Sequence, residues 1–173
     1  KPLVVFIPGM MHLARMSYGI PGTKPTDFLA YWLHQKGYSF LGISYPLENA
    51  VYHKTYPEYT IQDWAVQTCK IIHDRHPKQS VIILAWSMAG ALARDLALEC
   101  KKRDLDIQMF IGLAAAAPNP YTMNKALVDS MKPNNHGLVK LEDVYLKWFE
   151  DNLDQENSKN HHIIIAPSFY RKN

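Results

Sequence analysis

Val81-Ile82-Ile83-Leu84-Ala85-Trp86-Ser87-Met88-Ala89-Gly90 decides how this chain is read. Its first four residues are a short aliphatic run, which suits a strand covered on both faces. After Ser87 the period changes. Met88, Ala91 and Leu92, then Asp95, Leu96 and Glu99, are spaced as one apolar and one polar face of a helix. That helix is expected to run to about Cys100. Lys101-Lys102-Arg103 follow, where positive charge complements the helix C-terminus. A serine at a strand-to-helix corner sits on a strained backbone with its hydroxyl presented at the sheet edge. The backbone N–H groups that follow it point the same way and can stabilise an oxyanion. A serine in this position is also a good helix N-cap, and the motif is weighed against that plainer role.

Working outward, the 173 residues suit one modest domain with a core of its own, and a hydrophobic share of 47% argues against disorder. No apolar run approaches the ~20 residues a membrane-spanning helix needs, and no signal peptide is visible. The net charge of +3, with both signs interspersed, is too small to indicate a nucleic-acid partner. Cys69 and Cys100 both fall in expected helices and read as packed thiols, pointing towards a reducing, cytoplasmic setting rather than a disulfide framework. His73 and His76 stand three apart on a helix without a third ligand, so no metal site is expected. No Gly-rich phosphate loop, Cys-x-x-Cys pair or dinucleotide fingerprint occurs, and no cofactor is expected.

Upstream, Leu3 to Ile7 reads as a buried strand closed by Pro8-Gly9-Met10. Met11 to Lys24 is a loop with Gly and Pro. A helix capped by Thr26 or Asp27 runs to about Lys36, with Phe28, Leu29, Trp32 and Leu33 as its apolar face and Gly37 as its C′ residue. Tyr38 to Ser44 is a second strand. Thr60 and Asp63 form a capping-box pattern ahead of a helix whose core side is Ile61, Trp64, Ala65, Thr68, Ile71 and Ile72. His76-Pro77 stops that helix. Gln108 to Leu113 is a fourth strand, and the alternation implies parallel pairing with covered faces. Beyond Pro118 the rhythm changes. A short helix is expected over 121–131, a turn over 133–137, an amphipathic helix over 141–153 and a polar loop over 154–162. Ile163-Ile164-Ile165 is a last apolar run, read as a strand or as part of a lid.

Ala85-Trp86-Ser87-Met88-Ala89-Gly90 resembles the nucleophile elbow of the α/β-hydrolase family, Gly-x-Ser-x-Gly, with alanines where the glycines stand. The resemblance implies a mostly parallel, doubly wound sheet. It covers residues 1–118 as a partial hydrolase core and makes 119–173 a helical cap or lid. By position it assigns Ser87 as nucleophile and the N–H groups of Met10 and Met88 as oxyanion donors. The family's histidine before Gly9 is replaced by Pro8. Met11 and Trp86 are expected to line the substrate pocket.

The activity implied is cleavage of a small-molecule carboxylic ester or thioester through an acyl-serine. Two alternatives are a binding protein that keeps the pocket and an acyltransferase. The apolar, Met- and Trp-rich surroundings favour an apolar acyl chain. The family's chain order is serine, acid, histidine. After Ser87 the strand end offers Asn119. Asp129, Asp143, Asp151 and Asp154 lie in helical or loop sequence, and the only later histidines are His136, His161 and His162. His12, in the loop after the first strand, is a further candidate base. The chain is therefore expected to be a fragment, its sheet and triad completed by another segment or a second chain. Leu3–Ile7 and Gln108–Leu113 are both expected to make poor edges and to lower solubility.

Overall fold

A computed structural model describes residues 1–46, 54, 56–117, 132–135 and 142–172. The chain divides into two compact units, residues 1–122 and 123–173.

The first unit is built on a four-stranded, all-parallel sheet: β1 (Leu3–Ile7), β2 (Ser39–Gly42), β3 (Val81–Trp86) and β4 (Ile107–Leu113). The spatial order is β2-β1-β3-β4. It is an α/β protein. Side chains of β1 alternate between the faces. Leu3, Val5 and Ile7 pack with α2 (Ile61–Arg75) and α3 (Ala93–Lys102), while Val4 and Phe6 pack with Ala14, Leu84 and Leu33 of α1 (Leu29–Gln35). Burial on both faces is the reason β1 and β3 are continuous apolar runs.

Local chemistry sets the N-terminus of α2 and the C-terminus of α1. The N-cap of α1 is Phe28, without the side-chain cap expected from Thr26 or Asp27, which lie in a preceding 3-10 helix (Pro25–Asp27). At the N-terminus of α2, Thr60 Oγ1 accepts from the Asp63 N–H at 3.1 Å, and the Asp63 carboxylate accepts from the Thr60 N–H at 2.9 Å. This reciprocal box satisfies two donors that the first turn otherwise leaves open. α1 ends in a Schellman motif. Gly37 (φ +75°) donates to His34 O and Tyr38 to Leu33 O. The left-handed backbone there is why a glycine follows this helix.

Several expectations change. Leu3–Ile7 is no edge: β1 lies between β2 and β3. The apolar edge expected for Gln108–Leu113 does occur. β4 has β3 as its one strand neighbour among the described residues, and Met109, Phe110 and Leu113 are exposed, so the faces of this strand are not covered as expected. Ser87 does not enter an α-helix directly, because Ser87–Leu92 is a 3-10 helix that relaxes into α3. Glu99 is buried at 7% exposure, with its carboxylate paired to Lys102, although the helical period places it on a polar face. Leu29, Trp32 and Ile61 are exposed rather than core.

In the second unit, α4 (Glu142–Lys159) runs through residues expected to form a polar loop. Ile163–Ile165 form no strand and are exposed. The side chain of Asn157 holds this segment, accepting from the Ile164 N–H and donating to Ile165 O. α5 (Pro167–Lys172) follows, joined to α4 by a bidentate Arg171–Glu150 pair. The helix expected over 121–131 and His136 lie outside the described residues.

Candidate functional site

The chain passes from β1 outward to β2 and then back across β1 to β3. The strand order therefore reverses between β1 and β3. In open parallel sheets, ligands bind at such a switch point, beyond the carboxyl ends of the two strands. Gly9-Met10 follows β1 and Ser87 follows β3, so both candidate motifs stand at this point of the fold.

Ser87 has φ +52°, a left-handed conformation costly for a residue with a side chain. Three contacts hold the corner. Its carbonyl accepts from the Ala116 N–H at 2.8 Å, tying it to the segment after β4. On one side lies Gly9, where a methyl group would sit 2.7 Å from Ser87 Cβ and 3.2 Å from Ser87 Oγ. On the other lies Gly90, where a methyl group would sit 2.3 Å from Ala116 O. Ala85 and Ala89, two residues either side of Ser87, are fully buried. Small residues are needed because the loop after β1 closes on Ser87 and the segment after β4 closes on Gly90.

The loop after β1 is fastened to the end of β2. Met11 (φ +67°) donates its N–H to Tyr45 Oη at 2.6 Å, and Tyr45 Oη donates to Gly9 O at 3.2 Å. Ala14 N–H donates to Ser44 Oγ at 2.8 Å. Tyr45 is buried and its ring lies 4.6 Å from that of Trp64. Burial pushes its hydroxyl up to about 12, so it stays protonated. Among the described residues, neither the Met10 nor the Met88 N–H donates to a backbone carbonyl.

His12 stands edge-on to Trp86, with ring centroids 4.8 Å apart. Its Nδ1 lies 2.8 Å from Met10 O. A carbonyl only accepts, so Nδ1 carries the proton there. Burial lowers the pKa of His12, opposed by this hydrogen bond, and the ring is neutral at physiological pH. Trp86 packs into the core on the α1 side of the sheet, and Met88 packs against the core on the α2–α3 side.

Of the sequence-derived candidates, the structure brings Ser87, Met10, Met88, Met11, Trp86 and His12 to the same end of β1 and β3. Asn119, Asp129 and His136 lie outside the described residues. Asp151, Asp154, His161 and His162 belong to the second unit and are exposed, with Asp151 paired to Lys147 and His162 Nδ1 at 2.8 Å from Asn160 O. Asp143 lies on α4 of that unit. Sequence reasoning missed Tyr45. Its only signal was the Tyr45-Pro46 pair closing a strand, which carries no hint of its partners.

Among the described residues, no group of three or more His, Cys, Asp or Glu is placed to hold a metal ion. No helix of the described residues is long and apolar enough to cross a membrane. Fold and site together define an α/β protein with a strained serine at the switch point of a parallel sheet. No protein-family model, no curated protein and no solved structure matches the chain.

Proposed function

We propose that this chain carries the nucleophile of a serine hydrolase of the α/β-hydrolase type, acting on a carboxylic ester or thioester. The observation that carries the reading is the conformation of Ser87. A non-glycine residue at φ +52°, on the tip of a central strand, packed against a glycine of the neighbouring strand's loop, is a strained arrangement that a simple helix cap does not need. In this reading Ser87 Oγ attacks the acyl carbonyl carbon and its proton passes to a base. The N–H groups of Met10 and Met88 stabilise the oxyanion. Collapse of the tetrahedral species releases the alcohol or thiol, and water then hydrolyses the acyl-serine. Met11 and Trp86 line the acyl pocket, whose apolar character fits an apolar acyl chain. The base comes from His12 or from a further segment or chain, which also supplies the acid.

A second reading, a binding protein that keeps the pocket without turnover, has one observation in its favour. The described residues that follow β4 are Ala114-Ala115-Ala116-Ala117, which place no carboxylate beside Ser87.

A fluorophosphonate probe separates the two. The expected result is one covalent adduct by intact mass on the wild-type chain and none on Ser87→Ala. Equal labelling of both proteins removes Ser87 as nucleophile. Ser87-dependent turnover of a p-nitrophenyl ester removes the binding-protein reading.

A further inference from the structure

The hydroxyl of Tyr45 touches the β1 loop at two points, on the successive peptides Gly9–Met10 and Met10–Met11. It donates to Gly9 O at 3.2 Å and accepts the Met11 N–H at 2.6 Å. The carbonyl of Gly9 and the N–H of Met10 belong to the same planar trans peptide, so they point in opposite directions. Anchoring the carbonyl on the Tyr45 side therefore turns the Met10 N–H to the other side. The same carbonyl also faces the His12 N–H, at 3.4 Å. A carbonyl that accepts a hydrogen bond polarises its peptide and strengthens the donor at the opposite end. Gly9 is in turn pressed against Ser87, so this peptide belongs to the serine corner.

We propose that Tyr45 is the positioning residue of this site: its hydroxyl fixes the Gly9–Met10 peptide plane so that the Met10 N–H is oriented and polarised to receive developing negative charge. The proposal rests on the serine-hydrolase reading for its chemistry but not for its geometry. Tyr45 reaches the loop from the end of β2, 36 residues further along the chain. Its ring is held against Trp64 in the main core. The hydroxyl is thus carried by a ring packed into the main core of the first unit. Met11, at φ +67°, occupies its left-handed conformation with its N–H on that hydroxyl.

The test is Tyr45→Phe, which keeps the ring packed on Trp64 and removes only the hydroxyl; a thermal melt checks that the fold persists. Two readouts are taken on the full chain. In the first, the chain is labelled with 15N-methionine, which gives seven backbone amides to resolve. The Met11 amide is expected to exchange with solvent about tenfold faster in the variant, with a shift of the Met10 resonance, while the remaining methionines stay in place. In the second, kcat for p-nitrophenyl acetate is expected to fall about tenfold with KM unchanged, because the hydroxyl acts on a donor used in the transition state. Unchanged Met10 and Met11 amides overturn the latch. Altered amides with kcat within twofold of wild type overturn the positioning role. Absence in the wild type of both Ser87-dependent turnover and Ser87-dependent fluorophosphonate labelling instead marks failure of the hydrolase reading, and the amide readout still decides whether Tyr45 orients this peptide.

Discussion

Around Ser87 the tolerance for a single methyl group is set by what that methyl would meet. At Gly90 it meets the backbone oxygen of Ala116 at 2.3 Å, which cannot swing aside as a side chain would. Gly90→Ala is expected to destabilise the first unit by about 1–3 kcal/mol, read from urea midpoints, because the segment after β4 must move. Ala85 is fully buried at the same corner, and Ala85→Val is expected to cost a similar amount. His12 gives a pH signature. Its folded pKa lies below the unfolded value of 6.5 because burial disfavours the cation. The stability held by the neutral ring is complete above the unfolded pKa and is lost as pH falls through the folded one. Chemical denaturation between pH 7.5 and 5 is therefore expected to show stability declining with acid, with a shallower decline in His12→Asn. An equal slope in the two proteins would remove His12 as the cause.

Elements in this chain start and stop by local rules more often than by hydrophobic period. The capping box of α2 is an example, and Thr60→Ala is expected to cost about 1 kcal/mol by thermal melt. α4 shows the converse. Its apolar spacing ends at Leu153, yet the helix continues to Lys159. Glu and Gln in this tail are good helix formers, Lys159 pairs with Glu156 one turn back, and Asn160 Nδ2 donates to Glu156 O. The extra turn brings Asn157 to the Ile164–Ile165 backbone, which is why that apolar run forms no strand. Asn157→Ala should raise amide exchange at Ile164 while leaving the middle of α4 protected. Protection at Ile164 equal to wild type would show the segment is held by other means.

For the whole molecule the unbalanced feature is β4. β1 and β3 are packed on both faces, whereas β4 exposes Met109, Phe110 and Leu113. A groove beside it is lined by Leu96, Ala97, Cys100, Met109 and Phe110 and does not include Ser87, Gly9 or Met10. An apolar parallel edge attracts further strands. The 173-residue chain is expected to self-associate with rising concentration in light scattering, and Met109→Lys with Phe110→Lys to suppress this. A concentration-independent monomer in the wild type would mean that the edge is protected.

The sequence by itself determined the strands β1 to β4, the C-terminal cap of α1, the N-terminal box of α2 and the strand-serine-helix corner, because each depends on residues within one turn or one strand of each other. The apolar runs of β1 and β3 bury, Thr60 and Asp63 satisfy the N-terminal donors of α2, and Gly37 takes the left-handed backbone after α1. Tertiary structure alone decided that β1 is central, that Gly9 packs on Ser87, that Tyr45 fastens the loop before it, and that Glu99 is buried. It also brought Cys69 and Cys100 together with their sulfurs 2.8 Å apart, each placed only by how α2 crosses α3. These pairings join residues from separate elements, tens of positions apart along the chain. No local period or spacing records them, because they arise from how the helices and loops pack over a shared sheet.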